Sequence, residues 1–339
     1  MLTIHRLDPY DDAEFATFHA AYAEANDFER PYSDTWRPAE FMVAFRRDSP
    51  AEELYGLLAQ EGDEVVGVAV IELPLADNVE LADVCVYVRP EHRRRGVGTV
   101  LARQLATDLR QRGRTSWMSL VAGRRHGQPE GTLVPGEAFA ARLGLTMRQW
   151  DVQRRLALPA AQDRLDALAA EAAPKHRDYR LVRWANKCPD DYVETYCRLK
   201  EAMVDEMPTG DLVMEAEVWD QARLRESEAH QAAQGRTRYI HAAVAPDGTI
   251  AGHTELVVPE HDPGVIYQWE TLVLPTHRGH RLGLGLKVAN LAWTQAEHPD
   301  RTSLRTWNAE SNAPMIALNE AMGFEPVEYA GSWQGDIPA

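Results

Sequence analysis

Apolar and polar positions follow the same order twice along this chain of 339 residues. Each half starts with a short strand pattern and an acidic amphipathic helix, and continues with two apolar runs around a polar turn, which is typical of a β-hairpin. A later strand leads to a helix that ends at Gly144 or Gly323, where glycine suits a left-handed C-terminal cap. The first half is predicted to contain a strand at 2–7, a helix at 11–25, a hairpin of 54–58 with 65–73 and a strand at 115–121. The second half is predicted to contain a strand at 179–184, a helix at 189–203, a hairpin of 239–244 with 249–258 and a strand at 302–307.

In each half, a further apolar run leads through a basic, glycine-bearing turn into a helical pattern. The two turns are Val86–Gly98 and Thr271–Gly283, and each has an arginine five residues and a glycine ten residues after the valine of a Val-x-Pro sequence. A strand that ends at a helix N-terminus leaves backbone N–H groups pointing at one spot, and the helix dipole favours an anion there. Each turn is therefore predicted to bind phosphate; the alternative is a basic surface loop that caps an ordinary helix.

With the element order around them, these turns resemble the acyl-CoA-binding motif of the GCN5-related N-acetyltransferase (GNAT) superfamily, Val-x-Pro-x-x-Arg/Gln-x-x-Gly-x-Gly/Ala. The resemblance implies the order β-α-α-β-β-β-α-β-α-β for each half, an α/β fold of the α+β type with a mixed, mostly antiparallel sheet flanked by helices. The chain length also favours two domains. We expect a GNAT-like domain at 1–156, a proline-bounded linker helix within 157–178 and a second GNAT-like domain at 179–339.

The resemblance implies acetyl-CoA as the donor substrate, bound at the turns. The first turn has the complete motif, whereas the second has Arg281 where the first motif glycine is expected. Arg281 needs only helical φ and ψ if the helix has already begun there. The predicted contacts with acetyl-CoA are Val86, Val88, Arg93, Arg94, Arg95, Gly96, Val97, Gly98 and Thr99 in the first half, and Leu272, Val273, Leu274, Arg278, Gly279, His280, Arg281, Leu282, Gly283, Leu284, Gly285, Asn308, Asn312 and Met315 in the second.

The asparagines of the second half correspond to family positions around the thioester. In the family, an Asn at a strand end and an Asn at a helix start bind the pantetheine arm, and Asn308 and Asn312 match them. Asn312 is also a sound helix N-cap, which explains it without a ligand. Asn319 stands where many members have a Tyr that protonates the leaving thiolate. An amide can donate a hydrogen bond to sulfur but cannot act as a general acid, so Asn319 is expected to orient the thioester.

The first half lacks these groups. Ala140 occupies the position that matches Asn319, and residues 122–131 are predicted to form a Gly/Arg-rich loop in place of the stretch that carries the asparagines. The first half is therefore expected to be a degenerate copy, despite its complete turn.

A carboxylate in the second half is predicted to act as general base. The family base is commonly a Glu about six residues before the motif valine, where this chain has Tyr267, while Glu270 lies three residues before it. A β-bulge would re-aim Glu270, because an extra residue switches the side-chain face. Glu255 and His253 are the runners-up, and Asp83 is the equivalent acid of the first half. In the family arrangement, the backbone N–H groups of Leu272–Leu274 would polarise the thioester carbonyl.

Composition limits the class of protein. No apolar run approaches the roughly 20 residues that span a bilayer, and the N-terminus lacks a signal pattern, so a cytoplasmic protein without a membrane partner is expected. Three irregularly spaced cysteines favour neither a disulfide framework nor a metal site. The formal net charge of −16 argues against nucleic acid as a partner and suits a cationic amine.

Together the residues and the resemblance imply an acetyl-CoA-dependent N-acetyltransferase that acts directly on a primary amine of a small molecule. Direct attack is expected because no Cys or Ser stands at a motif position suited to a covalent acyl-enzyme. The C-terminal half is expected to be catalytic and the N-terminal half to shape the acceptor cleft. Catalysis in the N-terminal domain and a non-catalytic acyl-CoA-binding module are the alternatives. The acceptor, the acyl chain preference and the oligomeric state stay open.

Overall fold

The computed structural model of the chain describes residues 1–128 and 134–338. Within them the element order β-α-α-β-β-β-α-β-α-β occurs twice, which confirms the implied order. The first set is β1 (Leu2–Arg6), α1 (Asp12–Asp27), α2 (Pro38–Phe45), β2 (Glu52–Glu61), β3 (Glu64–Pro74), β4 (Leu81–Val88), α3 (Val97–Gln111), β5 (Ser116–Arg125), α4 (Pro135–Arg142) and β6 (Thr146–Ala157). The linker helix is α5 (Gln162–Ala172). The second set is β7 (Arg180–Ala185), α6 (Val193–Glu206), α7 (Gln221–Ala233), β8 (Arg236–Val244), β9 (Ile250–Pro259), β10 (Val265–Val273), α8 (Leu282–Glu297), β11 (Ser303–Ala309), α9 (Ala313–Met322) and β12 (Glu325–Asp336).

The chain forms two compact units that exchange their last strands. Unit 1 contains residues 1–151, the short segment 210–213 and the described residues from Glu328 on, and unit 2 contains 152–209 and 214–327. The strand order is β1-β2-β3-β4-β5-β12 in unit 1 and β6-β11-β10-β9-β8-β7 in unit 2, where β6 contributes the residues from Val152 on. The domain boundaries drawn from the sequence place both exchanged strands differently, and they stay a prediction.

The exchange explains one local difference from the sequence analysis. Residues 122–125 continue strand β5 and do not form a loop, because they pair with the start of β12, for example Arg125 with Glu328. This partner lies some 200 residues away in the sequence, so no local pattern reveals it. Residues 126 and 127 form a turn, and residues 129–131 of the predicted loop lie outside the described residues.

Each sheet buries an apolar face against the helix that follows its basic turn. In unit 1, α3 inserts Leu101, Leu105 and Leu109 into the core, each fully buried. In unit 2, α8 inserts Leu284, Val288 and Leu291 into the core in the same way. Both predicted glycine caps are confirmed, since Gly144 and Gly323 adopt left-handed φ angles of 84° and 98°. The apolar periodicity of these helices therefore fixes where each turn sits over its sheet.

We expect Gly252→Ala to destabilise unit 2 by about 1–3 kcal/mol, since overpacking carries a cost of that order. A Cβ atom at position 252 would lie 2.6 Å from the carbonyl oxygen of Leu272 and 3.1 Å from the Cα atom of Val273. Both neighbours are backbone atoms of β10, so the strand itself would have to move. Thermal denaturation measures the loss. Gly264→Ala is the control, because Gly264 is not among the left-handed glycines and a Cβ there meets only the Thr302 hydroxyl, at 3.8 Å; equal losses for the two variants would contradict the prediction.

No helix within 1–128 or 134–338 is long and apolar enough to cross a membrane. The three cysteines, Cys85, Cys188 and Cys197, are free thiols.

Candidate active site

One parallel strand pair opens in each unit next to the basic turn. In unit 1, β4 pairs with β5 only from Leu81 to Asp83, although β4 continues to Val88. In unit 2, β10 pairs with β11 only from Val265 to Gln268, although β10 continues to Val273. Each sheet therefore has a gap between two strands, and the basic turn lies at the end of the strand that borders it.

In unit 1, this gap is part of a cleft of about 1050 Å³. The cleft is lined by β4, β5, α3, α4 and the turn between β4 and α3. Eight of the nine predicted contacts of the first turn line it: Val86, Val88, Arg93, Arg94, Gly96, Val97, Gly98 and Thr99. Arg95 differs, because its guanidinium donates to Glu61 at 2.7 Å and contacts His92. Helix α4 contributes a further wall of the cleft through Phe139, a residue that was not predicted from the sequence.

The first turn is held to its strand by Arg93. The Arg93 Nε atom donates to the carbonyl oxygen of Val88 at 3.0 Å, and Nη2 donates to that of Ala25 at 3.1 Å. Gly96 precedes the helix with a φ of 90°, a left-handed conformation that glycine adopts without strain. A side chain at Gly98 would meet the Phe139 ring at 3.2 Å. The two glycines thus serve different purposes, one in the turn and one in close packing.

The second turn repeats this design, but the residue types at its two left-handed positions are reversed: Gly279 corresponds to Arg94, and Arg281 corresponds to Gly96. The Arg278 Nε atom donates to the carbonyl oxygen of Val273 at 3.2 Å, as Arg93 does to Val88. Arg281, however, has φ 53° and ψ 23° and precedes α8, which begins at Leu282. The expectation of helical angles at Arg281 is therefore wrong, and a non-glycine residue in the left-handed region costs about 1–2 kcal/mol.

Groups of unit 2 itself contact the basic side chains of the second turn. Arg278 pairs with Glu206 at 2.6 Å, and Arg281 pairs with Glu171 at the end of the linker helix, also at 2.6 Å. The two arginine side chains are 52% and 50% exposed. Exposed pairs of this kind contribute only about 0–1 kcal/mol, so a phosphate can replace the carboxylates.

A β-bulge lies where β10 leaves β11. The pairing of β10 with β9 shifts between Gln268 and Thr271, so Trp269 and Glu270 together oppose Glu255. This is the bulge that the sequence analysis invoked to re-aim Glu270. The buried Gln268 amide stabilises it, since Nε2 donates to the carbonyl oxygen of Glu255 at 2.8 Å. The Glu255 carbonyl oxygen, which lies opposite the extra residue, thereby has a hydrogen-bond donor.

Beyond the bulge, the backbone N–H groups of β10 point toward the gap at every second residue. The Leu274 N–H group donates to the carbonyl oxygen of Ala251 at 2.9 Å, so it is not available to a thioester carbonyl. Hydrogen bonds alternate along an antiparallel pair, so Leu272 also faces β9, and the N–H groups of Thr271 and Val273 face the opposite edge. Of the three predicted donors, Val273 alone keeps this orientation. Thr271, which the sequence analysis missed, shares it.

Glu270 lies against a lysine that the sequence analysis also missed. The Lys200 Nζ atom donates to both carboxylate oxygens of Glu270, at 2.6 Å to Oε1. Burial raises the pKa of Glu270, but the Lys200 ammonium outweighs this effect and holds that pKa well below its ordinary range. The Glu270 side chain keeps 31% of its exposure, whereas that of Lys200 keeps 7%. Glu270 is therefore an accessible, ionised carboxylate with a cation on its inner side.

The runner-up bases are buried too deeply to contact an acceptor. Glu255 is 1% exposed and forms two hydrogen bonds with Arg238, at 2.5 and 2.8 Å. His253 is fully buried and contacts the hydroxyl of Tyr196 at 3.1 Å. Burial lowers the pKa of His253 to about 4, so its ring is neutral near pH 7. The His253 Nε2 atom lies 3.6 Å from a carboxylate oxygen of Glu270, whereas Glu255 pairs with Arg238.

Two of the predicted asparagines meet in the fold. The Asn319 Nδ2 atom donates to Asn308 Oδ1 at 2.6 Å, and Asn319 is fully buried. Asn312 caps α9, since its side chain accepts from the N–H group of Met315 at 3.2 Å. The structure thus gives Asn312 a capping role and joins Asn308 to Asn319 behind the strand end.

Unit 1 has neither the bulge nor the asparagine pair. The pairing of β3 with β4 is continuous from Gly67–Val88 to Glu72–Asp83. Burial raises the pKa of Asp83 to about 6. Ala140, which is 3% exposed, lines the cleft at the position of Asn319.

Comparisons with known proteins agree with this geometry. The model of the acetyltransferase (GNAT) family matches residues 19–126 and 198–324, so the chain belongs to this family. A solved tandem GNAT protein from the clavulanic acid biosynthesis pathway is 29% identical, with a TM-score of 0.81 over 100% of this chain and 99% of that one. No curated protein matches the chain.

Two other solved structures share only the fold at their level of identity. A GCN5-related N-acetyltransferase from Sphaerobacter thermophilus is 12% identical, with a TM-score of 0.65 over 100% of this chain and 96% of that one. Saccharomyces cerevisiae N-myristoyltransferase is 11% identical, with a TM-score of 0.59 over 98% of this chain and 78% of that one. The protein is thus a tandem GNAT protein, and membership of the family implies acyl transfer from acyl-CoA.

Proposed function

We propose that this protein transfers an acetyl group from acetyl-CoA directly to a primary amine of a small molecule, and that unit 2 carries out the chemistry. The observation that carries the proposal is the bulge at Trp269–Glu270, which places an ionised, accessible carboxylate beside the gap between β10 and β11. Unit 1 has no such shift between β3 and β4.

Each step of the reaction then has a candidate group in unit 2. The N–H groups of Thr271 and Val273 polarise the thioester carbonyl, because they face the gap and stabilise the charge that develops on its oxygen. Glu270 accepts the proton of the acceptor amine, directly or through water. The buried Asn319 acts through Asn308, since its amide donates to Asn308 Oδ1 and so orients that partly exposed residue toward the pantetheine arm. The thiolate takes its proton from solvent, since an amide cannot supply one.

Unit 1 is proposed to bind acyl-CoA without turning it over. Its cleft of about 1050 Å³ has the volume of a ligand site, and Arg93 and Arg94 line it at the start of a helix. The thioester would meet no carboxylate on a bulge there, and Ala140 cannot orient a neighbouring side chain as Asn319 orients Asn308.

We expect Arg93→Ala and Arg278→Ala to remove different binding events for acetyl-CoA. Each substitution removes charge-assisted hydrogen bonds, which are worth about 1.5–3 kcal/mol or about 10- to 100-fold in affinity. Calorimetric titration of the wild type and both variants resolves the two sites. Arg93→Ala should weaken binding to unit 1 and spare turnover, and Arg278→Ala should reduce turnover. Arg103→Ala is the control, because Arg103 is exposed on α3 and lies outside the cleft.

The main alternative places the chemistry in unit 1, with Asp83 as the base. It is favoured by the raised pKa of Asp83, which suits proton abstraction near neutral pH, and by the pairing of Arg278 with Glu206 in unit 2. Loss of turnover in Arg93→Ala and Asp83→Asn, with normal turnover in Glu270→Gln, would establish this alternative. An absence of acetyl-CoA binding by the wild type would contradict both assignments.

A further inference from the structure

Lysine is rare in this chain, and its placement is selective. The sequence contains four lysines, Lys175, Lys187, Lys200 and Lys287, among 36 lysines and arginines. Lys175 and Lys187 are exposed, whereas Lys200 and Lys287 are buried. Arginine is the better partner for a buried carboxylate, since its planar fork binds both oxygens. Lysine differs from arginine in that its nitrogen can lose a proton and act as a nucleophile.

The Lys200 nitrogen lies in a small box that is formed by the carboxylate of Glu270 and the ring of Trp219. Glu270 contacts it with both oxygens from β10, and the Trp219 ring lies on another side with its centroid 4.8 Å away. A carboxylate and an aromatic face are the groups that bind an alkylammonium. The protein's own lysine thus occupies the kind of site that the acceptor amine of the proposed reaction requires.

This box lies next to the position proposed for the acetyl group. Thr271 directly follows Glu270, and its N–H group faces the gap in which the thioester carbonyl is proposed to bind. Neighbouring residues of a strand are about 3.3 Å apart, so the two functional groups belong to adjacent strand positions. The four-carbon stem of Lys200 can therefore move its nitrogen from the carboxylate toward the carbonyl carbon by side-chain rotation.

We propose that Lys200 is a site of self-acylation, at which unit 2 transfers the acyl group of its own bound acyl-CoA to the Lys200 Nζ atom. The inference rests on the proposed function of unit 2. The Nζ–C bond forms as the C–S bond of the thioester breaks. Of the two protons that the ammonium loses, one goes to the thiolate sulfur, and the other goes to the Glu270 carboxylate and from there to water.

Acylation would change the electrostatics around Glu270. The amide carries no charge, so the carboxylate loses the ammonium that lowers its pKa, and that pKa rises toward its ordinary value. Glu270 is then a stronger base that is free to accept a proton from an external amine. Self-acylation would therefore prepare the site for its acceptor.

The test incubates the full-length protein with acetyl-CoA and no acceptor, and follows each lysine by peptide mass spectrometry. Lys200 should gain one acetyl group about tenfold or more faster than Lys175 or Lys187, because a bound donor gives a high effective concentration. The rate constant should not depend on protein concentration. Arg278→Ala and Glu270→Gln should abolish the modification, and Lys200→Arg should remove it while calorimetry still detects acetyl-CoA binding.

The outcomes separate this inference from the proposed function. An unmodified Lys200 in a protein that binds acetyl-CoA in unit 2 and acetylates added amines would overturn self-acylation alone. Equal modification of Lys200 and the exposed lysines, or modification that persists in Glu270→Gln, would indicate non-enzymatic acylation and also overturn it. Absence of donor binding in unit 2 would remove both proposals.

Discussion

Replacing Glu270 by glutamine is expected to lower kcat by about 10²–10⁴, the range for loss of a general base. Glutamine has nearly the same shape and can still contact Lys200, so the fold and the acetyl-CoA site should be preserved. The amide cannot accept the proton of the acceptor amine. Steady-state kinetics with an amine acceptor, combined with calorimetric titration of acetyl-CoA, measures the two effects separately.

A matched control tests whether charge alone causes the effect. Glu194→Gln also removes a carboxylate from unit 2, but the Glu194 side chain is 83% exposed and forms a surface pair with Arg198 on α6. This variant should keep wild-type turnover. Unchanged turnover in Glu270→Gln, with acetyl-CoA still bound, would remove Glu270 from the mechanism.

The pH dependence of turnover provides a second check on Glu270. The carboxylate is faced by Lys200 from α6, by His253 from β9 and, at longer range, by Arg238 from β8, and together they hold its pKa below the ordinary value of about 4.3. Only the ionised form accepts a proton, so activity should persist to low pH as long as Lys200 is unmodified. In Lys200→Met the ammonium is gone, the pKa of Glu270 rises, and the acid limb of the kcat/KM profile should move upward relative to that of wild-type protein whose Lys200 mass spectrometry shows to be unmodified. A profile that does not move would indicate that another group titrates.

Breaking the Arg238–Glu255 pair is expected to have the largest effect on stability. Arg238 is 4% and Glu255 is 1% exposed, and the two side chains join neighbouring strands β8 and β9 by two hydrogen bonds. Arg238→Met leaves a buried carboxylate without its cation, which typically costs about 3–5 kcal/mol. Thermal and urea denaturation measure this loss in the free energy of unfolding.

The double variant Arg238→Met/Glu255→Leu separates stability from catalysis. It removes both charges and should recover much of the stability, because apolar residues can replace a buried pair at little or no cost. It should also retain turnover, since Glu255 is too deeply buried to reach an acceptor. A folded but inactive double variant would return Glu255 to the list of candidate bases.

The repeated element order was predictable because it depends on local chemistry. The apolar spacing in α3 and α8 marks amphipathic helices, and the glycines at 144 and 323 mark helix ends that require left-handed angles. Arg281 shows where such reasoning fails. The sequence does not reveal whether a helix has begun at a given residue, and here it begins one residue later than the expectation required.

The candidate site was predictable only in part. Glu270 was selected because a carboxylate in an apolar strand needs a partner or solvent, and the bulge that exposes it is present. Its partner, Lys200, comes from a helix 70 residues earlier in the sequence. The spacing of Tyr196 and Lys200 on one face of α6 was a signal that both point inward.

Two copies of one fold and two basic turns could be predicted from local sequence patterns. Periodicity, helix caps and turn chemistry depend on residues that are close together in the chain, so they can be recognised in the sequence without knowledge of the fold. Three features became visible only in the folded chain: the exchange of β6 and β12, the pairing of Glu270 with Lys200 and the burial of Glu255 against Arg238. Each of these depends on strand pairing or packing between distant segments, whose partners are chosen by the fold as a whole.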